Sequence, residues 1–363
     1  MNLCFVLGGF QGVGGIGRVV SILANELSQK AEYNLYFVVM NEWDRGKFLY
    51  DLPENVTGIG WKAPKSMKKV FFYGGIQKLK RYLKDNRIDV VIGCGALYFP
   101  LIVMACVGIK TKSLCWEHSN ANNAADHQFQ KICRWIGAKF SDCVAVLTKY
   151  DERLYQTKYR SKRIYQMYNP IDPLLFCSKE RVPFIKRKII SVGRLTYQKN
   201  YPLLIKIANR VLKNHPDWQW HIYGDGPEEE SIKQFINENG LSAQLILKGQ
   251  VRDLYLLYNE YDFFVSTSRY EGFSMAFLEA VANGLPIISF DIECGPREII
   301  EDGKNGFLVA PFDENKFIEC IEKIITSGST REYMVTEQRK KAQIYNCHSI
   351  VEQWNRIFKI IIE

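Results

Sequence analysis

Residues 262–291 read DFFVSTSRYEGFSMAFLEAVANGLPIISFD, and their punctuation decides the fold. The apolar runs 262–268 and 285–291 have the length and unbroken hydrophobicity of strands buried on both faces. Between them, Ser274 is placed to cap a helix running to about Asn283. Gly284 and Pro286 stop that helix and start the next strand. A strand, a helix and a strand in this rhythm predict a parallel sheet covered by helices. Two carboxylates interrupt the apolar pattern. Glu271 falls in the loop before the helix, and Glu279 about one and a half turns into it. Backbone amides of Gly272 to Met275 point the same way, making an anion site flanked by two hydroxyl acceptors. A ligand with a phosphate between a sugar and a ribose fits that pattern. Either glutamate alone reads more readily as an ordinary solvent-facing residue.

The rhythm extends outward in both directions. Residues 2–8 read as a strand, GGFQGVGGIGR (8–18) as a glycine-rich turn, and 17–29 as a helix. Further strands are expected at 34–40, 89–93, 112–116 and 143–147. After MYNPID (167–172) the series restarts. KIISVGRL (188–195) reads as a strand and 201–214 as a helix. WHIYGDGP (220–227) reads as a strand ending in a turn, and QLILKG (244–249) as another strand. Helices are expected at 228–239 and 274–283. Asn169-Pro170 is the turn signal between the two series. An N-terminal domain of residues 1–168 and a C-terminal domain of 169–347 follow. Ile350, Trp354, Ile357 and Ile361 repeat at four, three and four residues, so 348–363 is expected to be a helix packed back on the first domain. The fold class is α/β: two doubly wound, Rossmann-like domains facing a cleft, with ligands at the carboxyl ends of the strands.

Composition excludes several classes. Of 363 residues, 47% are hydrophobic, and 20 Tyr with 21 Phe argue against disorder. The ten cysteines form no C-x-x-C pair and sit in apolar strings, which suits buried reduced thiols in a reducing cytoplasm. MNLCFVLGGF lacks the basic start and cleavage site of a secretory leader. The longest apolar run, YFPLIVMACVGI (98–109), is shorter than the ~20 residues a membrane span needs. Net charge is +9, and 61–87 alone holds nine Lys or Arg against one acid, Asp85. Apolar and aromatic residues interleave with that charge. The segment suits an anionic membrane surface, or a solvated helix face with core anchors. No recognition motif accompanies it, so nucleic acid is not an expected partner.

Two more motifs end strands. In SVGRLTYQKN (191–200), Gly193 closes a strand and is followed by Arg194 and Lys199, two cations able to neutralise a pyrophosphate leaving group. Alone, they read as a surface pair. In the N-terminal loop, G-V-G-G-I-G (12–17) matches a dinucleotide fingerprint, with Gly14 and Gly15 letting amides approach a phosphate. The acid a dehydrogenase wants at the end of the second strand is displaced to Glu42 and Asp44, so that reading fits poorly.

In this order the motifs resemble those of the retaining glycosyltransferases of family four, which have the GT-B fold. The resemblance covers nearly the whole chain. Its most specific element is Glu-x₇-Glu, here Glu271 to Glu279, followed by AVANGLPII (280–288). It implies that Glu271 serves the transferred sugar and Glu279 the ribose, and that Arg194 and Lys199 hold the donor diphosphate. Amides of Phe273 and Ser274 would serve sugar and phosphate, and Gly15 would close over the diphosphate. Gly14, Gly193 and Val251 complete the implied donor-binding set. CWEHSN (115–120) matches the place of a family histidine, so His118 is implied to contact the sugar near the reacting carbon; a structural hydrogen bond is the other reading of a lone histidine. DIECGPREII (291–300) departs from the commoner loop of the family and resembles members that build bacterial surface polysaccharides, with Arg297 and Glu298 left without assigned roles. The implied activity is retaining transfer of a hexose from a nucleotide diphosphate sugar, UDP foremost, to a glycan or lipid-linked oligosaccharide acceptor in lipopolysaccharide or capsule synthesis. No metal and no cofactor are expected. The expected place is the cytoplasm, peripheral on the inner face of the cell membrane through 61–87. A GT-B nucleotide-sugar epimerase and a non-catalytic sugar-nucleotide-binding subunit are the alternatives.

Overall fold

The computed structural model describes residues 1–11, 14–63, 70, 74–122, 128–175, 185–251 and 254–363. The chain divides into two compact units, Met1–Pro170 with Cys347–Glu363, and Ile171–Asn346. Each is built on one wholly parallel sheet.

In the first unit the strands are β1 (Asn2–Leu7), β2 (Asn34–Val39), β3 (Thr57–Gly60), β4 (Val90–Cys94), β5 (Lys112–Trp116), β6 (Cys143–Val146) and β7 (Ile164–Gln166). They lie in the order β3-β2-β1-β4-β5-β6-β7. The order reverses between β1 and β4, so the crevice outside their carboxyl ends is where a doubly wound sheet binds ligand. Leu3, Cys4, Phe5, Val6 and Leu7 are all buried, as a central strand with two covered faces requires. The apolar run at 98–109 is the helix Phe99–Cys106, packed beside the helix Gln128–Phe140. The two approach so closely that a Cβ at Gly137 would lie 2.6 Å from the Phe99 ring.

The helix Cys347–Ile362 belongs to this first unit. Its Trp354 meets Trp116 edge-on at 4.8 Å, and Phe358 meets Tyr33 at 6.0 Å. Each such aromatic pair adds about 0.5–1.5 kcal/mol to the stabilisation from burial. Lys30 Nζ donates to Glu352 at 2.7 Å on the same seam.

The second unit holds β8 (Lys188–Val192), β9 (Gln219–Tyr223), β10 (Leu245–Gly249), β11 (Phe263–Ser266), β12 (Ile287–Phe290) and β13 (Gly306–Val309). Their order is β10-β9-β8-β11-β12-β13. Its switch point lies between β8 and β11, the strands that carry the Gly-Arg and Glu-x₇-Glu motifs. Ile189, Trp220, Ile222, Phe263, Val265 and Ile288 form the heart of its core.

Cys4, Cys94, Cys115, Cys133, Cys143 and Cys320 are buried. Burial pushes the Cys133 and Cys320 thiols up to about 11, which keeps them protonated and inert. Cys177 lies outside the described residues, as do Lys65, Lys68 and Lys69 of the basic segment. Within that segment, Leu79 and Leu83 of the helix Gly75–Asp85 are core residues. Lys62 pairs with Glu42 at 2.9 Å, and Lys80 Nζ donates to the Val107 carbonyl at 2.5 Å. No helix among the described residues is long and apolar enough to cross a membrane.

Candidate active site

The second unit's site is built by loops leaving β8 and β11. After β8 the chain turns through Gly193, Arg194 and Leu195 and enters the helix Tyr201–Asn214 through Asn200, which is left-handed with φ of 56°. After β11 it passes Ser268, Arg269 and Glu271 into the helix Met275–Ala282. Backbone and side-chain bonds stitch the two loops together. Arg269 N–H donates to the Gln198 carbonyl at 2.8 Å, and Gln198 Nε2 returns a bond to the Tyr270 carbonyl at 3.0 Å. Thr267 Oγ1 donates to the carbonyls of Lys199 and Asn200, each at 3.1 Å.

This stitching brings Lys199 onto Glu271. Lys199 Nζ donates to Glu271 Oε1 at 2.5 Å, and Ser268 Oγ donates to the same oxygen at 2.7 Å. Glu271 is 6% exposed and Lys199 16%, so the pair is largely dry yet reachable. An ammonium has three donors, so two on Lys199 stay available for an anion. No described donor reaches Glu271 Oε2. Arg194 is exposed, with no ion pair to a described residue.

Glycines permit the loops to approach. A Cβ at Gly193 would lie 2.7 Å from Lys199 Cε. Gly224, at φ of +134°, lies under Gly193, and a Cβ there would sit 2.0 Å from the Gly193 carbonyl oxygen. The Gly-Asp-Gly-Pro turn after β9 thus supports the Gly-Arg loop: Leu195 N–H donates to the Asp225 carbonyl at 2.7 Å. On the other side, Gly295, at φ of +94°, backs Gly272, and a Cβ would come within 2.2 Å of the Gly272 carbonyl.

Ser274 is the N-cap residue of the helix Met275–Ala282, but its side chain makes no capping bond. The first-turn amides are therefore left for an external acceptor. Glu279 lies on this helix and is 7% exposed. The Phe273 ring is buried against Tyr345 at 5.7 Å, so Phe273 contributes packing as well as backbone. Val251 is 37% exposed, just beyond β10. Arg297 is bound to Asp291 through two nitrogens, with Nη2 at 2.9 Å, and the Glu298 carbonyl accepts from the Tyr345 hydroxyl at 2.8 Å.

In the first unit, Gly14 is the extended N-cap of the helix Gly15–Ser28, and a Cβ there would meet nothing within 4 Å. Gly12 and Val13 lie outside the described residues. His118 follows β5. Its ring lies 4.2 Å from that of Trp116, Nε2 has no hydrogen-bond partner, and burial lowers its pKa to about 3. It is a neutral imidazole at any physiological pH. Beneath it, Glu117 is fully engaged. Its Oε1 accepts the amides of His118 at 3.1 Å and Ser119 at 3.0 Å, while Oε2 accepts Arg134 Nε at 2.7 Å and the Tyr155 hydroxyl at 3.0 Å.

Residues 13–174 match the model of glycosyltransferase family 4, and residues 179–341 that of the group 1 glycosyl transferases. The chain belongs to the family 4 glycosyltransferases. Transfer of a sugar from a sugar nucleotide is the chemistry of that family. The transferase is 27% identical over 372 residues to the amylovoran biosynthesis glycosyltransferase AmsD of Erwinia amylovora, covering 98% of this chain and 99% of the relative. It is 26% identical over 345 residues to an uncharacterized glycosyltransferase of Haemophilus influenzae, covering 95% and 96%. The solved structure of the pneumococcal O-GlcNAc transferase GtfA, in complex with UDP and GlcNAc, superposes with a TM-score of 0.81 at 15% identity, covering 100% of this chain and 99% of that one. The α/β, GT-B class with two Rossmann-like units is therefore the transferase's fold.

Gly193, Arg194, Lys199, Glu271, Phe273 and Ser274 thus lie on adjoining loops of one unit, and Glu279 on the helix that follows them. Gly14 and Gly15 open the helix that follows β1 of the other, and His118 lies in the loop after β5. Sequence reasoning missed Ser268, Glu117, Arg134 and the supporting glycines. Ser268 had a signal: a hydroxyl three residues before the loop glutamate. Arg134 had none, because it sits on a helix and its partner Glu117 lies 17 residues earlier, after β5.

Proposed function

We propose that the transferase moves a hexose from UDP-sugar to a glycan or lipid-linked acceptor with retention at the reacting carbon and without a bound metal. One arrangement supports this reading: Lys199 and Ser268 share Glu271 Oε1 at the switch point, leaving Oε2 and two ammonium protons unclaimed by described residues. Lys199 and Arg194 hold the diphosphate and absorb the charge that develops on it as the sugar leaves. First-turn amides of the helix Met275–Ala282 add donors to the same phosphates. Glu271 Oε2 accepts a hydroxyl of the transferred sugar, and Glu279 binds the ribose. The bond from the anomeric carbon to the phosphate breaks, the acceptor oxygen bonds to that carbon on the face the phosphate leaves, and the departing phosphate oxygen takes the acceptor proton, which preserves the configuration. His118, a neutral imidazole whose Nε2 is buried and unpartnered, is the first unit's candidate for a hydrogen bond to the sugar. Attachment to the inner face of the membrane through the first unit would place the enzyme beside a lipid-linked acceptor.

A binding and hydrolysis screen across UDP- and GDP-sugars in EDTA tests the proposal. UDP-sugar hydrolysis that survives EDTA, with α-donor giving α-product by NMR, is the expected result. Absence of UDP binding, or activity that needs added metal, overturns it.

A further inference from the structure

The first unit carries an apolar, lysine-flanked face outside the candidate site. On the helix Gln128–Phe140 the outward positions are Lys131, Ile132, Trp135, Lys139 and Phe140. Trp135 and Phe140 meet edge-on at 5.7 Å. Beside them, Met104 and Val107 project from the end of the neighbouring helix Phe99–Cys106. These five apolar side chains are between 47% and 66% exposed, and four of them line one concavity of about 1050 Å³. Scattered exposed apolar residues need no explanation, but a contiguous group with two aromatics does.

Charge decides between occupants. Lys110, Lys131 and Lys139 stand exposed around the group, with Arg81 and Lys84 exposed on the helix Gly75–Asp85, which packs against Phe99–Cys106. The carboxylates of the concavity, Asp89 and Asp142, are engaged: Asp89 accepts the Asn2 amide at 2.7 Å, and Asp142 accepts Ser113 N–H at 2.8 Å. A second copy of the chain would bring lysines against lysines. An anionic lipid leaflet offers an apolar interior for Trp135 and Phe140 and phosphates for the lysines at the same depth. We propose that this face, centred on Trp135, Phe140, Met104 and Val107, docks the protein on an anionic membrane surface. The basic residues of 61–87 then act as long-range attraction, since the apolar residues of their helix are spent in the core. The proposal deepens the membrane attachment proposed above and rests on that reading. It needs neither donor nor acceptor, so its failure leaves the donor assignment standing.

Cosedimentation of the full chain with vesicles of phosphatidylcholine alone, or mixed equally with phosphatidylglycerol, tests it at low and high salt. Wild type should pellet with the mixed vesicles at low salt and be released by high salt. Trp135→Ala with Phe140→Ala should lower the bound fraction about tenfold at unchanged melting temperature. Lys131→Glu with Lys139→Glu should abolish the preference for the anionic mixture. Wild type left in the supernatant, or an aromatic double variant that binds like wild type, overturns the proposal. So does a dimer by light scattering that the aromatic variant converts to monomer, which would assign the face to a second copy.

Discussion

Two buried glutamates, each in a loop that leaves a parallel strand, are bonded in opposite ways. Glu117 follows β5 of the first unit and Glu271 follows β11 of the second. Each is buried, each accepts a hydroxyl, and each pairs with a cation at 2.5–2.7 Å. Glu117 and Arg134 are each 1% exposed, and both oxygens of Glu117 are saturated by four donors. Glu271 has all its described bonds on one oxygen. A carboxylate with no open lone pair can only hold structure, whereas one with half its capacity unclaimed is prepared for a ligand. Burial and ion pairing are common to both glutamates; the count of satisfied lone pairs is what separates them.

The contrast is breakable. Glu117→Ala leaves Arg134 buried without its carboxylate and should cost about 3–5 kcal/mol of unfolding free energy in urea. A loss below ~1 kcal/mol would mean that Glu117 is not the structural member of the comparison. On the other side, Arg194→Ala or Lys199→Ala should leave folding intact and remove about 2–4 kcal/mol of transition-state stabilisation, roughly thirtyfold to a thousandfold in turnover. Folded variants with near-native turnover would sink the diphosphate assignment.

The two glutamates of the second unit should also separate. Glu279→Ala should weaken UDP binding by about 1.5–3 kcal/mol, the loss of a hydrogen bond to a charged group. Glu271→Ala should spare UDP affinity and reduce transfer. Calorimetry with UDP on both variants decides, and equal losses would erase the division of roles.

The smallest effect is the pH dependence of the first unit. Burial depresses the His118 pKa from 6.5 to about 3, so between those values the unfolded chain binds a proton that the folded one refuses. Stability therefore falls as pH drops through 6.5, by about 1 kcal/mol by pH 6. His118→Asn should flatten that slope in urea titrations. An unchanged slope would assign the acid sensitivity elsewhere, with His221, depressed to about 4 by burial and then by Lys248 and Lys188, next in line.

The sequence by itself determined the alternation of strands and helices, the parallel class, the placing of Arg194, Lys199 and Glu271 in loops after strands, and of Glu279 on the helix that follows. Those are local properties: apolar runs, helical spacing and Gly or Pro punctuation are written within about fifteen residues. Tertiary structure decided the rest. β3, with the sequence TGIG, and β7, with IYQ, carry no strand pattern and are strands because β2 and β6 offer them unpaired edges. Gly224 and Gly295 look like turn residues in the sequence, yet their neighbours in space, Gly193 and Gly272, are what exclude a side chain. The Lys199–Glu271 bond joins residues 72 apart, and Glu117 finds Arg134 and Tyr155 only after three elements pack. Which carboxylate keeps an open oxygen depends on donors arriving from distant parts of the chain, and no local pattern encodes their arrival.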